Sequence, residues 1–166
     1  MRFDKMTLKV QEALQDSQHL AGANGHQLIE VEHLLLALLK QEEGIVAAIL
    51  KKLGADPASV AAELEKSLAK LPRVEGPGTG QPHLSTRLQR IIDQGMTEAA
   101  RLKDEYVSAE HLLIAMAEEK GGEAARILHK AGITKDSIFR ILVDIRGKQR
   151  VTDPNPEEKY QALKRY

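Results

Sequence analysis

Ile29-Glu-Val-Glu-His-Leu-Leu-Leu-Ala-Leu-Leu39 returns almost unchanged as Val107-Ser-Ala-Glu-His-Leu-Leu-Ile-Ala-Met-Ala117, 78 residues further along the chain. The run from Leu34 to Leu39 is apolar around the whole circumference of a helix, which in a water-soluble protein places that helix among neighbours on every side. Each copy therefore reads as the centre of a small helical bundle.

The repeat extends outward from these copies. Thr7–Glu65 and Ser85–Val143 align at the constant offset of 78 without a gap, and fifteen of fifty-nine pairs are identical, among them Gly44/Gly122, Gly54/Gly132 and Leu64/Leu142. An ungapped match that also keeps its helix breakers implies a structural repeat. In the first half, Thr7 caps a helix whose buried stripe is Val10, Ala13, Leu14, Ser17 and Ala21, and Leu8 falls off that stripe. Ala21-Gly-Ala-Asn-Gly25 ends this helix, and the central helix follows from about Val31 to Gln41, with Glu30 and Glu32 where negative charge suits the macrodipole. Val46, Ile49, Leu50 and Leu53 mark a third helix closed by Gly54, and Asp56-Pro57 opens a fourth with a cap and a proline at the first helical position. The second half repeats these stripes, with Ser108 as a better cap than its counterpart Glu30. The expected fold is all-α: two pseudo-repeats of four helices, 1–71 and 85–147, packed into one globular domain.

Between them, residues 72–84 carry glycine and proline at a density that no helix survives, and read as a linker. After Gly147 the chain turns polar. Asn155-Pro156-Glu-Glu then reads as the cap and acidic first turn of a helix from Glu157 to Tyr166, which stops in mid-pattern as if within a longer protein.

Composition excludes several classes of function. Twenty-four basic residues balance twenty-four acidic ones, so no net field draws the chain to nucleic acid or to an anionic membrane. Cysteine is absent, which removes disulfides, thiolate nucleophiles and Cys-ligated metal. No apolar run approaches the ~20 residues that span a bilayer, and Met1-Arg-Phe-Asp-Lys-Met lacks a signal-peptide core, so a cytoplasmic location is expected. With five aromatics in the chain, the core is aliphatic.

Chemistry is harder to find. No phosphate-cradling loop is present, and Gly76-Pro-Gly-Thr-Gly80 has neither the lysine nor the preceding strand it would need. Glu32-His33 and Glu110-His111 invite a metal reading, but each lacks a second histidine at i+4, and a ring hydrogen-bonded at the first helical turn is the better one. His19, His26, His83 and His129 read as surface residues. Asp104, Glu105 and Glu110, beside Tyr106, form an acidic patch at the entry to the second central helix: capping charge, or the polar rim of a groove. From the residues alone, a binding module is favoured over an enzyme.

The doubled Glu-His-Leu-Leu-(Leu/Ile)-Ala motif, each copy followed by a glycine break and Ile-Leu-x-Lys-x-Gly, resembles the Clp N-terminal repeat domain of AAA+ unfoldases. Met1-Arg-Phe-Asp-Lys-Met-Thr7, Leu71-Pro-Arg-Val-Glu-Gly76 and the stretch from Arg146 to Tyr166 resemble its ClpB-type disaggregase branch in particular. The resemblance implies a substrate-engaging domain of an ATP-driven hexamer that works on aggregated polypeptides with the DnaK system. ATP and magnesium would belong to ATPase modules outside this sequence, and the chain itself would hold no cofactor and be monomeric. Thr7, Asp104 and Glu110 match positions implicated in substrate binding in that family. Off-stripe and stripe-edge positions add Leu8, Leu14, Ile92, Met96 and Tyr106 as groove residues, with core packing an equal reading for Leu14 and Ile92. Two alternatives are an adaptor dock of the ClpA/ClpC type and a metal-dependent hydrolase using His33 and His111.

Overall fold

The computed structural model describes residues 3–74, 80–147 and 154. Eight α-helices occupy these residues: α1 (Leu8–Ala23), α2 (Val31–Lys40), α3 (Ile45–Lys52), α4 (Pro57–Ala69), α5 (Thr86–Arg101), α6 (Ala109–Glu118), α7 (Glu123–Lys130) and α8 (Lys135–Arg146). Their ends follow local chemistry. The Thr7 hydroxyl accepts from the Val10 amide at 3.3 Å, Ser85 does the same for Leu88 at 3.0 Å, and Asp56 accepts from Ala58 ahead of Pro57. The expected helix from Glu157 to Tyr166 lies outside the described residues.

The repeat reaches down to single turns. Positive φ occurs at Gly25 and Lys103, at Glu43 and Gly121, and at Gly54 and Gly132, three pairs separated by the same 78-residue offset. Glu43 and Lys103 adopt a conformation that glycine takes without strain, so the turn geometry is kept even where the residue is not.

α2 and α6 form the centre, as their sequences require. Leu34, Leu35, Leu38, Leu112, Leu113, Ile114 and Met116 are all fully enclosed. α1 lies on α2 as α5 lies on α6, and across the middle α3 packs on α6 and α8 while α7 packs on α2 and α4. One continuous apolar cluster results.

Short strands complete the exchange between halves. β1 (Leu28–Ile29) pairs in parallel with β2 (His83–Leu84), in register Leu28 with His83 and Ile29 with Leu84. Met6 bridges Val107 in the same sense, and these two residues are the 78-offset counterparts of Leu84 and Ile29. Accordingly the Ser85 amide donates to Ile29 O at 3.1 Å, and the Thr7 amide to Val107 O at 3.0 Å. The segment leading into each repeat's first helix is thus bonded to the other repeat. The stretch read as linker through residue 84 ends in this strand: two residues are too few to give a period-2 pattern.

Leu34 and Leu112 are counterparts, each 0% exposed. Leu34→Ala and Leu112→Ala are each expected to cost about 2–5 kcal/mol, as large-to-small core changes do. Because the halves share one core and exchange lead-in segments, urea denaturation of either variant followed by circular dichroism should keep a single transition. Two separated transitions would mean that the repeats fold independently.

Candidate functional site

The glutamate–histidine pairs form structural joints at the two central-helix entries. In repeat one the Glu30 amide donates to His33 Nδ1 at 2.8 Å, and in repeat two the Ser108 amide donates to His111 Nδ1 at 2.9 Å. Each ring takes the place of the glutamate of a capping box, satisfying an amide at the helix start. The other ring nitrogens differ. His33 Nε2 lies 2.9 Å from His26 Nδ1, whereas His111 Nε2 lies 2.7 Å from Asp104 Oδ2. His26 and Asp104 are themselves counterparts. His26 is therefore interior, at 6% exposure, and not the surface histidine expected from the sequence.

Asp104 and Glu110 are interior as well. Arg146, at the end of α8, donates to Asp104 at 2.5 Å and lies 3.8 Å from Glu110, and all three side chains are at least 94% enclosed. The Ser108 hydroxyl donates to the other Glu110 oxygen. The acidic patch at this entry, read in the sequence as capping charge or the polar rim of a groove, is a buried ion cluster with only Glu105 of its three acids exposed. A carboxylate signals a surface in sequence because burial alone is costly. Here the compensating charge comes from 42 residues away.

A second cluster joins the halves. Arg87 of α5 donates bidentately to Glu119 at 2.8 and 2.9 Å and to Glu32 at 3.0 and 3.3 Å, and Glu32 also accepts from the Ala124 amide at 3.0 Å. These bonds raise the already high Arg87 pKa, Glu119 first and Glu32 next, against the opposing effect of burial. Among the described residues no group of three metal-ligating side chains occurs.

A groove of about 400 Å³ runs between α1 and the β1–β2 pair, lined by Gln11, Leu14, Gln15, Gln18, Ile29, Pro82, His83 and Leu84. No lysine, arginine or carboxylate lines it, in a chain that is 29% charged. Leu14 and Ile29 form the floor, and the amides at positions 11, 15 and 18 share one face of α1. Leu8, 52% exposed, extends that face by a turn, and Leu28 of β1 is 49% exposed.

The residues singled out in the sequence separate into three groups. Leu8 and Leu14 belong to this groove face. Ile92, Met96 and Tyr106 are the counterparts of Leu14, Gln18 and Leu28, so they mark the pseudo-equivalent face on α5, where Ile92 is buried and Met96 and Tyr106 are half-buried. Thr7, Asp104 and Glu110 have fully enclosed side chains and line neither face. Gln11, Gln15 and Gln18 were missed. Their signal was present: three amides and no charge at i, i+4 and i+7 beside an apolar stripe.

The fold of two exchanged four-helix repeats defines a class. The model of the Clp repeat (R) N-terminal domain matches residues 5–131, and the chain belongs to that family. Over 169 aligned residues it is 40% identical to the chaperone protein ClpB of Nitratidesulfovibrio vulgaris, a match covering 100% of this chain and 20% of that relative. The chain thus spans about a fifth of that protein's length. Among solved structures, the Hsp104 N-terminal domain from Candida albicans superposes with a TM-score of 0.79 at 19% identity, covering 92% of this chain and 99% of that one. The ClpV N-domain in complex with a VipB peptide superposes at 0.70 with 16% identity, covering 90% and 92%. No described helix is long and apolar enough to cross a membrane.

Asp104→Ala would leave the Arg146 charge enclosed without its nearest counter-ion. It is expected to lower unfolding stability by about 3–5 kcal/mol, the range for breaking a buried pair. A double-mutant cycle with Arg146→Ala, measured by thermal or urea unfolding, should be strongly non-additive, whereas additive losses would mean that the two side chains act separately.

Proposed function

We propose that this chain is the substrate-engaging domain of a ClpB-type disaggregase and binds exposed apolar segments of unfolded or aggregated polypeptides in the groove along α1. The carrying observation is the lining itself: an apolar floor with an amide wall and no charge. An amide side chain both donates and accepts, so such a wall can bond any main chain, while the floor takes apolar side chains of differing shape. This chemistry tolerates sequence variation and avoids the tight, specific contacts that would slow release. The relatives support the reading, since the chain matches ClpB chaperones along its length and an N-domain of this fold has been solved with a peptide bound.

On this reading Thr7, Asp104 and Glu110 act from inside. Thr7 starts α1, and Asp104 and Glu110 fix the entry to α6, so each positions a surface without touching the polypeptide. The full protein would be a cytoplasmic, ATP- and magnesium-dependent hexamer acting with the DnaK system. Six copies of a modest site would give useful avidity.

Fluorescence anisotropy with unfolded casein provides the test. Leu8→Asp adds a carboxylate at a helix start, where it is tolerated, but replaces an apolar contact of the groove face. Its affinity for casein should fall by about tenfold, equivalent to ~1.4 kcal/mol, with unchanged thermal stability. Gln15→Glu should act in the same direction. Tight binding of a folded adaptor protein with no response to casein would contradict the proposal and favour an adaptor dock.

A further inference from the structure

The two central-helix entries are built alike except at one position, where repeat one has His26 and repeat two has Asp104. His26 and His33 are both enclosed, with ring centroids 5.0 Å apart. His33 Nδ1 is occupied by the Glu30 amide, so the ring's proton sits on Nε2 and is donated to His26 Nδ1. His26 must then carry its own proton on Nε2, and its ring lines a cavity together with Leu68 at the end of α4. The chain of bonds therefore runs from the α2 entry through both rings. A second proton on His26 sets two N–H groups against each other across 2.9 Å, and one on His33 sets its Nδ1–H against the Glu30 amide across 2.8 Å.

We propose that the His26–His33 pair is an acid-sensitive latch: protonation separates the α1–β1 turn from α2, frees the end of α4 with residues 72–74, and uncovers Leu20, Leu36 and Leu68. These three leucines, with His26, already line a cavity of about 310 Å³. What the latch holds is visible in the backbone, where the Val74 amide donates to Gly25 O at 2.8 Å and Arg73 Nε to Asn24 O at 2.9 Å.

The surrounding charges oppose an imidazolium. Arg73 after α4 and Lys40 at the end of α2 add positive charge. Each acid facing the pair is engaged with a cation: Glu65 of α4 with Lys40 at 3.2 Å, and Glu30 and Glu32 of the α2 entry with Arg87 at 3.8 and 3.0 Å. Burial first, then His26, pulls the His33 pKa down to about 4, with Glu32 opposing; burial first, then Arg73, lowers that of His26. Both folded values lie below the ordinary 6.5, so the stabilisation is fully present above that pH and is lost as pH falls towards 4. Repeat two has no such ring pair: its Asp104 carboxylate accepts from His111 at 2.7 Å. The latch goes beyond the polypeptide-binding reading and does not depend on it.

Hydrogen-exchange mass spectrometry at about pH 7 and about pH 5, corrected for intrinsic rates, tests the latch. Residues 66–74 should lose protection by about tenfold or more relative to residues 140–147, a factor equal to one pKa unit. His26→Asp, which copies repeat two, should abolish the difference. Equal pH dependence of the two segments in the wild type, or an unchanged response in His26→Asp, would overturn the proposal. Nitrogen-15 shifts of the His33 ring in the wild type decide the matter even if the variant does not fold. The neutral Nε2–H form should persist to about pH 5, and an imidazolium in the folded protein at about pH 6 would overturn it.

Discussion

Each repeat is tied to the other through its lead-in segment. Lys5 to Thr7 bonds to Val107, and His83 to Ser85 bonds to the Gln27–Ile29 stretch, so each central-helix entry is held by a segment of the other half. This exchange brings α2 and α6 together in one core, with α1 packed on α2 and α5 on α6. It also creates the groove, since one wall is α1 of repeat one and the other is the strand that precedes repeat two.

The polar interior follows from the same constraint. A helix start buried by exchanged segments has amides that water cannot reach, and these need partners. His33 and His111 supply one acceptor each, which explains why the Glu-His pair recurs without serving any evident reaction. The partners of the other ring nitrogen then diverge, an imidazole, His26, in repeat one and a carboxylate, Asp104, paired with Arg146, in repeat two. Residues that family resemblance assigns to substrate binding thereby acquire a physical role at a distance: they hold the segments from which the outer faces are built.

Helix positions were legible in the sequence because their determinants are local. Thr7 and Asp56 cap where expected, and Gly54 and Gly132 end their helices. The repeat was legible because its offset is constant. What escaped depends on partners distant in the chain. Nothing in His83-Leu84 announces a strand, and nothing beside Asp104 or Glu110 announces Arg146. Arg87 escaped for the same reason, since Glu32 and Glu119 lie 55 and 32 residues away. The three glutamines of α1 share a face by their spacing alone, but that this face is one wall of a groove becomes evident only with α1 set against β2.

The most direct measurement is the map of amide chemical-shift changes when an unfolded polypeptide is added to the isotope-labelled chain. The account predicts the largest changes at Leu8, Gln11, Gln15 and Leu84, with the hydrogen-bonded entry at Ser108 to His111 little moved. Changes that peak at Ser108 to His111 while Gln15 and Leu84 stay fixed would contradict it, because Asp104 and Glu110 would then have to leave the interior to meet the substrate.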